Sequence, residues 1–269
     1  MGMPMLPTRN GLARSVRWIA IPLLLAVAVG GWFLFDPGFK SAQKTAFVPI
    51  DIPQDEFERR VRAYILDNPE VIVEATQRLQ ARQRAAESTE AQAVLKQRVA
   101  EVTRDPASPV GGNPIGDVTL VEFFDYNCPY CRRVAPVMVE AEAADPQLRI
   151  VYKEFPILGA NSVFAAKAAL AAHRQGAYIA FHKALMLEKG IADEKTALEV
   201  AAKAGLSLER LKADMNDPAI QQAIDRNLDL AQALRINGTP GFVVGDQIVR
   251  GATDLKTLQT LVGRARSAQ

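Results

Sequence analysis

The two cysteines of this 269-residue chain lie in one segment, Cys128-Pro129-Tyr130-Cys131, directly after the apolar run Val118–Phe124. The run predicts a buried strand, and the cysteines would open the helix that follows. The first turn of a helix offers unpaired N–H groups and the positive end of the helix dipole, which both stabilise a thiolate at Cys128. Cys131 would be placed to close a ring with Cys128 and release a bound partner. The segment therefore predicts a strand–turn–helix unit suited to thiol–disulfide exchange.

Two other uses of the cysteine pair stay open. A structural bridge that closes so short a loop would remove little entropy from the unfolded chain. A zinc site usually needs four ligands, and the chain adds only His173 and His182, without a second C-x-x-C. We therefore predict no metal ligands and assign the two histidines no role, although a two-thiolate Cu(I) site would need fewer ligands.

Composition excludes several classes of function. The formal net charge of +2 gives no indication of a nucleic-acid partner. A hydrophobic content of 49% is enough for a folded core with an added anchor. Two cysteines cannot form a disulfide framework, and thiol exchange needs no bound cofactor, so none is predicted.

The segment Trp18–Phe35 carries no charged residue and follows three arginines. Its length lies near the lower edge of a membrane span, which takes about 20 residues. We predict that residues 1–35 form a cytoplasmic N-terminus and an uncleaved transmembrane signal anchor. The alternative is a signal peptide cleaved after Ala26-Val27-Ala28. Both interpretations export the cysteines to the bacterial periplasm, where disulfides persist, either on the inner membrane or as a soluble protein.

We predict that residues 36–112 form a linker followed by a helical stalk. Asn68-Pro69-Glu70 is a signal for the start of a new helix. One apolar position then repeats every seven residues, at Ile72, Leu79, Ala86, Ala93 and Ala100. Such a narrow, alanine-rich seam either supports self-association or belongs to a solvated spacer. The segment 105–114 is rich in proline and glycine, and we expect it to precede a second domain, 113–269.

The pattern of the second domain is β-α-β, a helical block, then β-β-α. We expect a strand over Val118–Phe124, a helix to about Ala144 and a strand over Leu148–Phe155. Four helices follow between about 158 and 236, and their expected caps are Ser162, Asp193, Ser207 and Asp217. Gly245-Asp246 predicts a hairpin turn, and Thr253 or Asp254 would cap the last helix.

This order of elements resembles the thioredoxin fold with a helical insertion. Three segments resemble the DsbA-like family of bacterial thiol–disulfide oxidoreductases: Glu122–Cys131, Tyr152–Ile157 and Gly238–Phe242. The segment 36–112 is closer in layout to ScsC- and Com1-like members, which have an N-terminal helical arm. The expected fold class is therefore α/β, thioredoxin-like with a helical insertion, preceded by a membrane anchor and a helical stalk.

The resemblance implies a role for each matching residue. Cys128 would be the exposed nucleophile and Cys131 the buried resolving thiol. Glu122 would be a buried acid that takes the proton of the resolving thiol through water, and Lys153 on the next strand is a candidate partner for it. Thr239-Pro240 would be a cis bond that leaves the Thr239 backbone free to pair with an extended substrate. Each role has an alternative. Glu122 could be a solvated carboxylate, Lys153 a surface residue, and Thr239-Pro240 an ordinary turn with a trans bond.

The active-site dipeptide departs from the oxidase DsbA. Pro129-Tyr130 replaces a proline–histidine pair, and a tyrosine stabilises a neighbouring thiolate less, so we expect a less oxidising protein. The expected function is to form, isomerise or reduce disulfides in cysteine-containing exported proteins, with a membrane redox partner of DsbB or DsbD type and a homo-oligomer formed through the stalk. The alternative is a Cu(I)-binding copper-tolerance protein that uses the same two thiolates.

Overall fold

The structure, a computed structural model, describes residues 52–269. The predicted anchor Trp18–Phe35 and most of the linker lie outside the described residues. The chain divides into two compact units, 1–68 and 69–269. No helix within 52–269 is long and apolar enough to span a membrane.

The described part of the first unit is one amphipathic helix, α1 (Gln54–Asp67), that buries none of its residues. Phe57 and Tyr64 are both more than half exposed. The polar side carries ion pairs from Arg59 and Arg60 to Glu56. Exposed pairs of this kind add little stability to the helix.

The second unit begins with a long helix, α2 (Glu70–Gln97), and a short one, α3 (Val99–Arg104), separated by a break at Arg98. Helix α2 buries only Ala91 and Leu95, both near its C-terminus. The predicted seven-residue repeat is exposed and does not form one continuous face. Ile72, Leu79, Ala86 and Ala93 lie on α2, whereas Ala100 lies on α3, after the break. The end of α2, and not the seam, packs against the rest of the unit.

Five strands form one sheet in the order β1-β3-β2-β4-β5. They are β1 (Val110–Gly112), β2 (Val118–Phe124), β3 (Leu148–Glu154), β4 (Gly241–Val244) and β5 (Gln247–Arg250). Strands β2 and β3 are parallel, and the other pairs are antiparallel. Strand β1 was not expected, since its sequence is short and glycine-rich. Gly112 has a φ of 63° and passes close to the Leu148 carbonyl, where a side chain would clash.

Seven helices complete the second unit. They are α4 (Pro129–Ala144), α5 (Ala160–Arg174), α6 (Tyr178–Leu187), α7 (Glu194–Lys203), α8 (Leu208–Met215), α9 (Pro218–Ala233) and α10 (Leu255–Ser267). The predicted caps Asp193, Ser207, Asp217 and Asp254 each accept a backbone N–H. The prediction for Ser162 was wrong, because α5 begins earlier, after Gly159, and Ser162 is buried within it.

The sheet carries a core on each face. One core joins alternate residues of the central strand, such as Leu120 and Phe124, to Cys131, α5–α8 and α10. The other joins Val121 and Phe123 to the end of α2, to α3 and to α9. The predicted α/β order with a helical insertion is confirmed. Helices α5–α8 of the insertion pack in the core that contains Cys131, whereas α9 also contributes to the core on the other face.

Candidate active site

Helix α4 places the two cysteines. Cys128 is its N-cap residue, with φ −79° and ψ 119°, and Pro129 takes the first helical position. The Cys128 carbonyl accepts the Arg132 N–H at 3.1 Å, which starts the helix. Both cysteines are free thiols. The Cys128 side chain therefore lies at the positive end of a 16-residue helix.

Both thiols are more covered than the sequence suggested. Cys128 is 4% exposed and Cys131 is 0% exposed, so the expectation of an openly exposed nucleophile needs correction. The Cys128 Sγ donates to the Thr239 carbonyl oxygen at 3.3 Å, and this loop covers it. Burial raises the pKa of the Cys131 thiol, and the negative charge of Glu122 raises it further. Only Cys128 retains any access to solvent.

The loop over Cys128 comes from a distant part of the chain. The Thr239–Pro240 peptide bond is cis, as the resemblance implies. Pro240 is buried, Thr239 is half-buried, and the Pro240 carbonyl accepts the Gly251 N–H at 2.8 Å. Within the described chain the Thr239 N–H has no acceptor. One backbone group of Thr239 therefore contacts the thiol, and the other remains available to an incoming strand.

Glu122 lies on the central strand, opposite Tyr152 on β3 and Phe242 on β4. It is 2% exposed, and burial raises its pKa to about 8. No group between residues 52 and 269 donates a hydrogen bond to its carboxylate. A carboxyl in this environment can accept and return a proton near neutral pH.

Lys153 does not pair with Glu122, so that prediction was wrong. Side chains alternate along a strand, and Lys153 is in register with Phe123, which places it on the opposite face of the sheet. There its Nζ donates to the Glu101 carbonyl at 2.7 Å and to Ser108 Oγ at 2.8 Å, and lies 3.5 Å from Asp105 Oδ2. Lys153 is completely buried, not a surface residue, and burial lowers its pKa to about 8.

Polar contacts fix the turn that precedes the cysteines. One Asp125 oxygen accepts the Asn127 N–H at 2.8 Å, and the other accepts the N–H groups of Ile157 and Leu158 at 2.9 and 3.0 Å. Asn127 Oδ1 accepts the Ala192 N–H at 2.8 Å. The turn is thereby attached to the segment after β3 and to the helical insertion.

A buried polar cluster behind this turn was missed by the sequence analysis. Glu154 Oε1 accepts the hydroxyl of Tyr178 at 2.7 Å and that of Tyr126 at 3.3 Å. The Tyr126 hydroxyl also lies 3.1 Å from His182 Nδ1. Burial lowers the pKa of His182 to about 3, so the ring is neutral. The available signal was a glutamate, Glu154, within the predicted strand Leu148–Phe155.

Tyr130, the second residue of the dipeptide, is 52% exposed. The guanidinium of Arg133 lies 5.1 Å from the centre of its ring, an arrangement typical of a cation–π contact. Within the part of the chain that the structure describes, no group of three or more His, Cys, Asp and Glu residues is placed to hold a metal ion. The site's own chemistry is that of two unequal thiols next to a buried carboxyl.

Comparisons with known proteins agree with this chemistry. Residues 119–263 match the model of the DSBA-like thioredoxin domain, and residues 54–86 match that of the copper resistance protein ScsC N-terminal domain. A solved thioredoxin-like oxidoreductase from Silicibacter pomeroyi is 51% identical, with a TM-score of 0.62 over 63% of this chain and 98% of that one. The thiol:disulfide interchange protein DsbA of Bordetella parapertussis is 29% identical over 142 residues, 51% of this chain and 68% of the relative.

Longer proteins also contain a region like this one. A Na(+)/H(+) antiporter, NhaA 1 of Salinispora arenicola, is 29% identical over 150 residues, which is 55% of this chain. The match covers only 23% of that antiporter. The chain thus spans about a quarter of the length of this curated relative.

Proposed function

The chain belongs to the family of DSBA-like thioredoxin domains, and from this premise we propose that it exchanges disulfides with exported proteins through Cys128 and Cys131. The observation that carries the proposal is the contact between the Cys128 Sγ and the Thr239 carbonyl, 3.3 Å apart. It brings a helix-capping thiol against the backbone of a cis-proline loop. An extended peptide paired with the Thr239 N–H would present its own sulfur to Cys128.

The exchange reaction follows in two balanced steps. A substrate thiolate attacks the Cys128 sulfur of the oxidised protein, so that a mixed disulfide forms and Cys131 leaves as a thiolate, which takes up a proton. A second substrate thiolate then attacks the mixed disulfide, which releases an oxidised substrate and a dithiol protein. In the reverse direction Cys131 must lose its proton before it attacks the mixed disulfide, and Glu122 is the buried base that would accept it.

The reduction potential should lie well below the value of about −120 mV typical of a strongly oxidising active site. A neutral tyrosine supplies no charge to the Cys128 thiolate, and the Tyr130 ring is engaged with Arg133. A Tyr130→His variant should be more oxidising, because a histidine can stabilise the thiolate. Equilibration of both proteins with glutathione buffers measures the difference.

The matched control for this change is Tyr130→Phe, which keeps the ring and its contact with Arg133. We expect its potential to stay close to that of the wild type. If the histidine variant is no more oxidising than the phenylalanine variant, the dipeptide does not set the potential. The interpretation of Tyr130 would then be wrong, while the exchange reaction itself would be unaffected.

The cellular role depends on the redox state of the pair. We propose that the catalytic domain is periplasmic, held on the inner membrane by residues 1–35, and that a partner of DsbB or DsbD type resets it. Thiol trapping in intact cells distinguishes the directions. A mostly oxidised Cys128–Cys131 pair indicates an oxidase supplied by a DsbB-type partner, and a mostly reduced pair indicates an isomerase or reductase supplied by a DsbD-type partner.

We propose that the helical stalk within residues 36–112 mediates self-association. Helix α1 buries nothing in its own unit, and Ile72 and Leu79 on α2 are each more than half exposed. A fragment starting at Lys40 should therefore sediment as an oligomer at tens of micromolar, and one starting at Ser88 should be a monomer. The shorter fragment should keep dithiol oxidation and lose most isomerisation of scrambled substrates.

The truncation point is chosen so that the shorter fragment keeps its fold. A start at Ser88 retains the buried Ala91 and Leu95, whereas a start at Asn113 would remove strand β1 and α3. If the longer fragment is a monomer, the stalk does not mediate self-association and is instead a spacer.

Copper handling is the second candidate, and its support is narrow. The matched model that carries a copper-resistance description covers residues 54–86, which include neither cysteine. Two thiolates can bind Cu(I) in many C-x-x-C segments, so binding alone decides nothing. If metal handling were the function, a Cys128→Ser/Cys131→Ser protein would fail to support copper tolerance, while a strain without the electron partner would keep it.

A further inference from the structure

One loop of the helical insertion is held by the active-site segment. We call Glu188–Ala192, between α6 and the N-cap residue of α7, the insertion loop. Within residues 52–269, Lys189, Gly190 and Ile191 form no backbone–backbone hydrogen bond, and Gly190 has a φ of 89°. The position of the insertion loop therefore depends on contacts from outside it.

Those contacts come from the residues on either side of the cysteine pair. Asn127, directly before the pair, accepts the Ala192 N–H on Oδ1 at 2.8 Å and donates from Nδ2 to the Ala192 carbonyl at 3.4 Å. Arg132, directly after the pair, donates from Nη1 to the Glu188 carbonyl at 2.5 Å. The first and last residues of the insertion loop are thus both bound to the active-site segment.

Arg132 connects two segments at once. Its Nε donates to the Tyr126 carbonyl at 2.7 Å, in the turn before the cysteines, while its Nη1 binds Glu188. The guanidinium is a planar, rigid fork, so these two bonds fix the separation between the turn and the insertion loop. A lysine has one nitrogen on a flexible chain and cannot reproduce this geometry.

The surface that these contacts hold in place is apolar. Ile191 in the insertion loop is 63% exposed, and Leu187, the last residue of α6, is 72% exposed. Leu187 also lines a cavity of about 300 Å³ between α4 and α6, together with Pro136 and Val139 of α4. Exposed apolar side chains at the edge of an apolar cavity are suited to bind another apolar side chain.

A substrate bonded to Cys128 comes within reach of this surface. Asn127 directly precedes Cys128 and contacts Ala192, and an extended chain advances about 3.3 Å per residue. Side chains within a few residues of the substrate cysteine therefore reach the insertion loop. This contact differs from pairing with the Thr239 backbone, because main-chain hydrogen bonds give affinity and side-chain contacts give specificity.

We propose that the insertion loop is a second substrate-contacting element, which binds an apolar side chain beside the reacting cysteine of an unfolded exported protein, and that Arg132 and Asn127 position it. The inference rests on the proposed exchange reaction and deepens it by naming a class of substrate. Proteins that have not finished folding expose apolar segments of this kind. Cysteines in hydrophilic segments would react more slowly, because they lack the contact with Ile191 and Leu187.

The test compares two unstructured dithiol peptides that differ only beside their cysteines, where one has leucine and the other serine. The disulfide form of the full-length protein oxidises each peptide, which forms a peptide disulfide and reduces the Cys128–Cys131 bond to two thiols. The leucine peptide should have a second-order rate constant about tenfold higher, the factor that about 1.4 kcal/mol produces. In Ile191→Ser the ratio of the two rate constants should fall about threefold, since part of the apolar contact is lost.

The ratio is informative because both peptides react with the same thiol, so a change in the cysteines themselves cancels. The matched control is Ile115→Ser, the same change at an isoleucine that is 90% exposed and lies before β2. It should leave the ratio at the wild-type value. An unchanged ratio in Ile191→Ser would overturn the inference, and so would an equal fall in both variants.

Arg132→Lys tests the positioning role. It should lower the ratio about as much as Ile191→Ser, and the double variant should show no further loss, because both changes act through one loop. A purely structural role for Arg132 would lower both rate constants together and leave the ratio unchanged. That outcome, or losses that add in the double variant, would refute the positioning role. Ile191→Ser changes only an exposed side chain, so it tests the surface even if Arg132→Lys does not fold.

A second measurement does not require the protein to catalyse exchange. Each peptide, in a form with one activated cysteine, is attached chemically to Cys128 of the Cys131→Ala protein, and methyl NMR follows Ile191 and Leu187. We expect both methyl signals to shift more with the leucine peptide than with the serine peptide, and equal shifts would overturn the inference. A wild-type protein that oxidises neither peptide would refute the proposed function, while the NMR result would still decide whether the insertion loop binds apolar side chains.

Discussion

A Cys131→Ala variant should accumulate mixed disulfides with other proteins, and a Cys128→Ala variant should form almost none. Cys128 caps helix α4 and keeps 4% exposure, whereas Cys131 is fully enclosed. Burial and the nearby Glu122 charge raise the pKa of the Cys131 thiol, so it stays protonated without a base. Loss of Cys131 removes the only internal sulfur that can release a trapped partner. The difference should be nearly all-or-none on a non-reducing gel.

The trapped species should be lost when reductant is added, and mass spectrometry should place the bond at Cys128. Both variants need the same thermal stability as the wild type for the comparison to hold, and an alanine at either site removes only a small side chain. Equal trapping by the two variants would contradict the assignment of nucleophile and resolving thiol. Trapping through Cys131 alone would reverse it.

Replacement of Lys153 should cause a large loss of stability. Its ammonium donates to the Glu101 carbonyl and the Ser108 hydroxyl, in a site with no solvent access. Lys153→Ala removes both donors and leaves a cavity, and should cost about 2–4 kcal/mol. Lys153→Met fills the space and should cost about half as much. Lys195→Ala, a change at an exposed lysine on α7, should be within about 0.5 kcal/mol of the wild type.

The Lys153 prediction also has a pH dependence with a defined sign. Burial lowers the pKa of Lys153 from 10.5 to about 8 in the folded protein. Between those values the unfolded chain binds more protons than the folded one, so folding becomes more favourable as the pH rises. The stability of the wild type relative to Lys153→Met should therefore increase from pH 8 to 10.5 in urea titrations. A difference that is flat or falls with pH would mean that burial does not lower the pKa of Lys153 in the folded protein.

The active-site elements were the most predictable part of the fold. Strand β2 occupies the predicted range, Val118–Phe124, because five of its seven residues are apolar and it is buried on both faces. Cys128 begins a helix as expected, since Pro129 suits the first helical position. The Gly245-Asp246 turn joins the predicted hairpin. In each case a local signal and the tertiary environment favour the same structure.

The errors arose where tertiary contacts outweighed local signals. Strand β1 contains two glycines and exists because it pairs with β3. Ser162 resembles a helix cap but lies inside α5, where its hydroxyl accepts a hydrogen bond from Asn127. Helix α6 was missed, because four helices were expected between about 158 and 236 and the structure has five, so His182 and Tyr178 were left out of the site. Burial of polar side chains depends on which elements meet, and a single sequence does not state that.

The sheet face on which Lys153 lies could not be predicted from the sequence of its own strand, because it depends on how β3 aligns with β2. Glu122 and Lys153 lie on adjacent strands, and their proximity along the sheet suggested a pair. The register sets Lys153 beside Phe123, one position away from Glu122, and a shift of one residue changes the face. A correct alignment of β2 with β3 would have placed Glu154, and not Lys153, near Glu122.

Helix α2 is held to the rest of its unit at one end only, and this affects how far its other end can move. Its buried residues, Ala91 and Leu95, are confined to the C-terminal end. The stretch from Glu70 to Glu90 has no buried residue, and at about 1.5 Å per residue it forms a lever roughly 30 Å long. A tilt of about 10° at the Ala91 pivot would displace the far end by roughly 5 Å. A small change in packing at Ala91 and Leu95 would therefore produce a much larger displacement of the N-terminal end of α2.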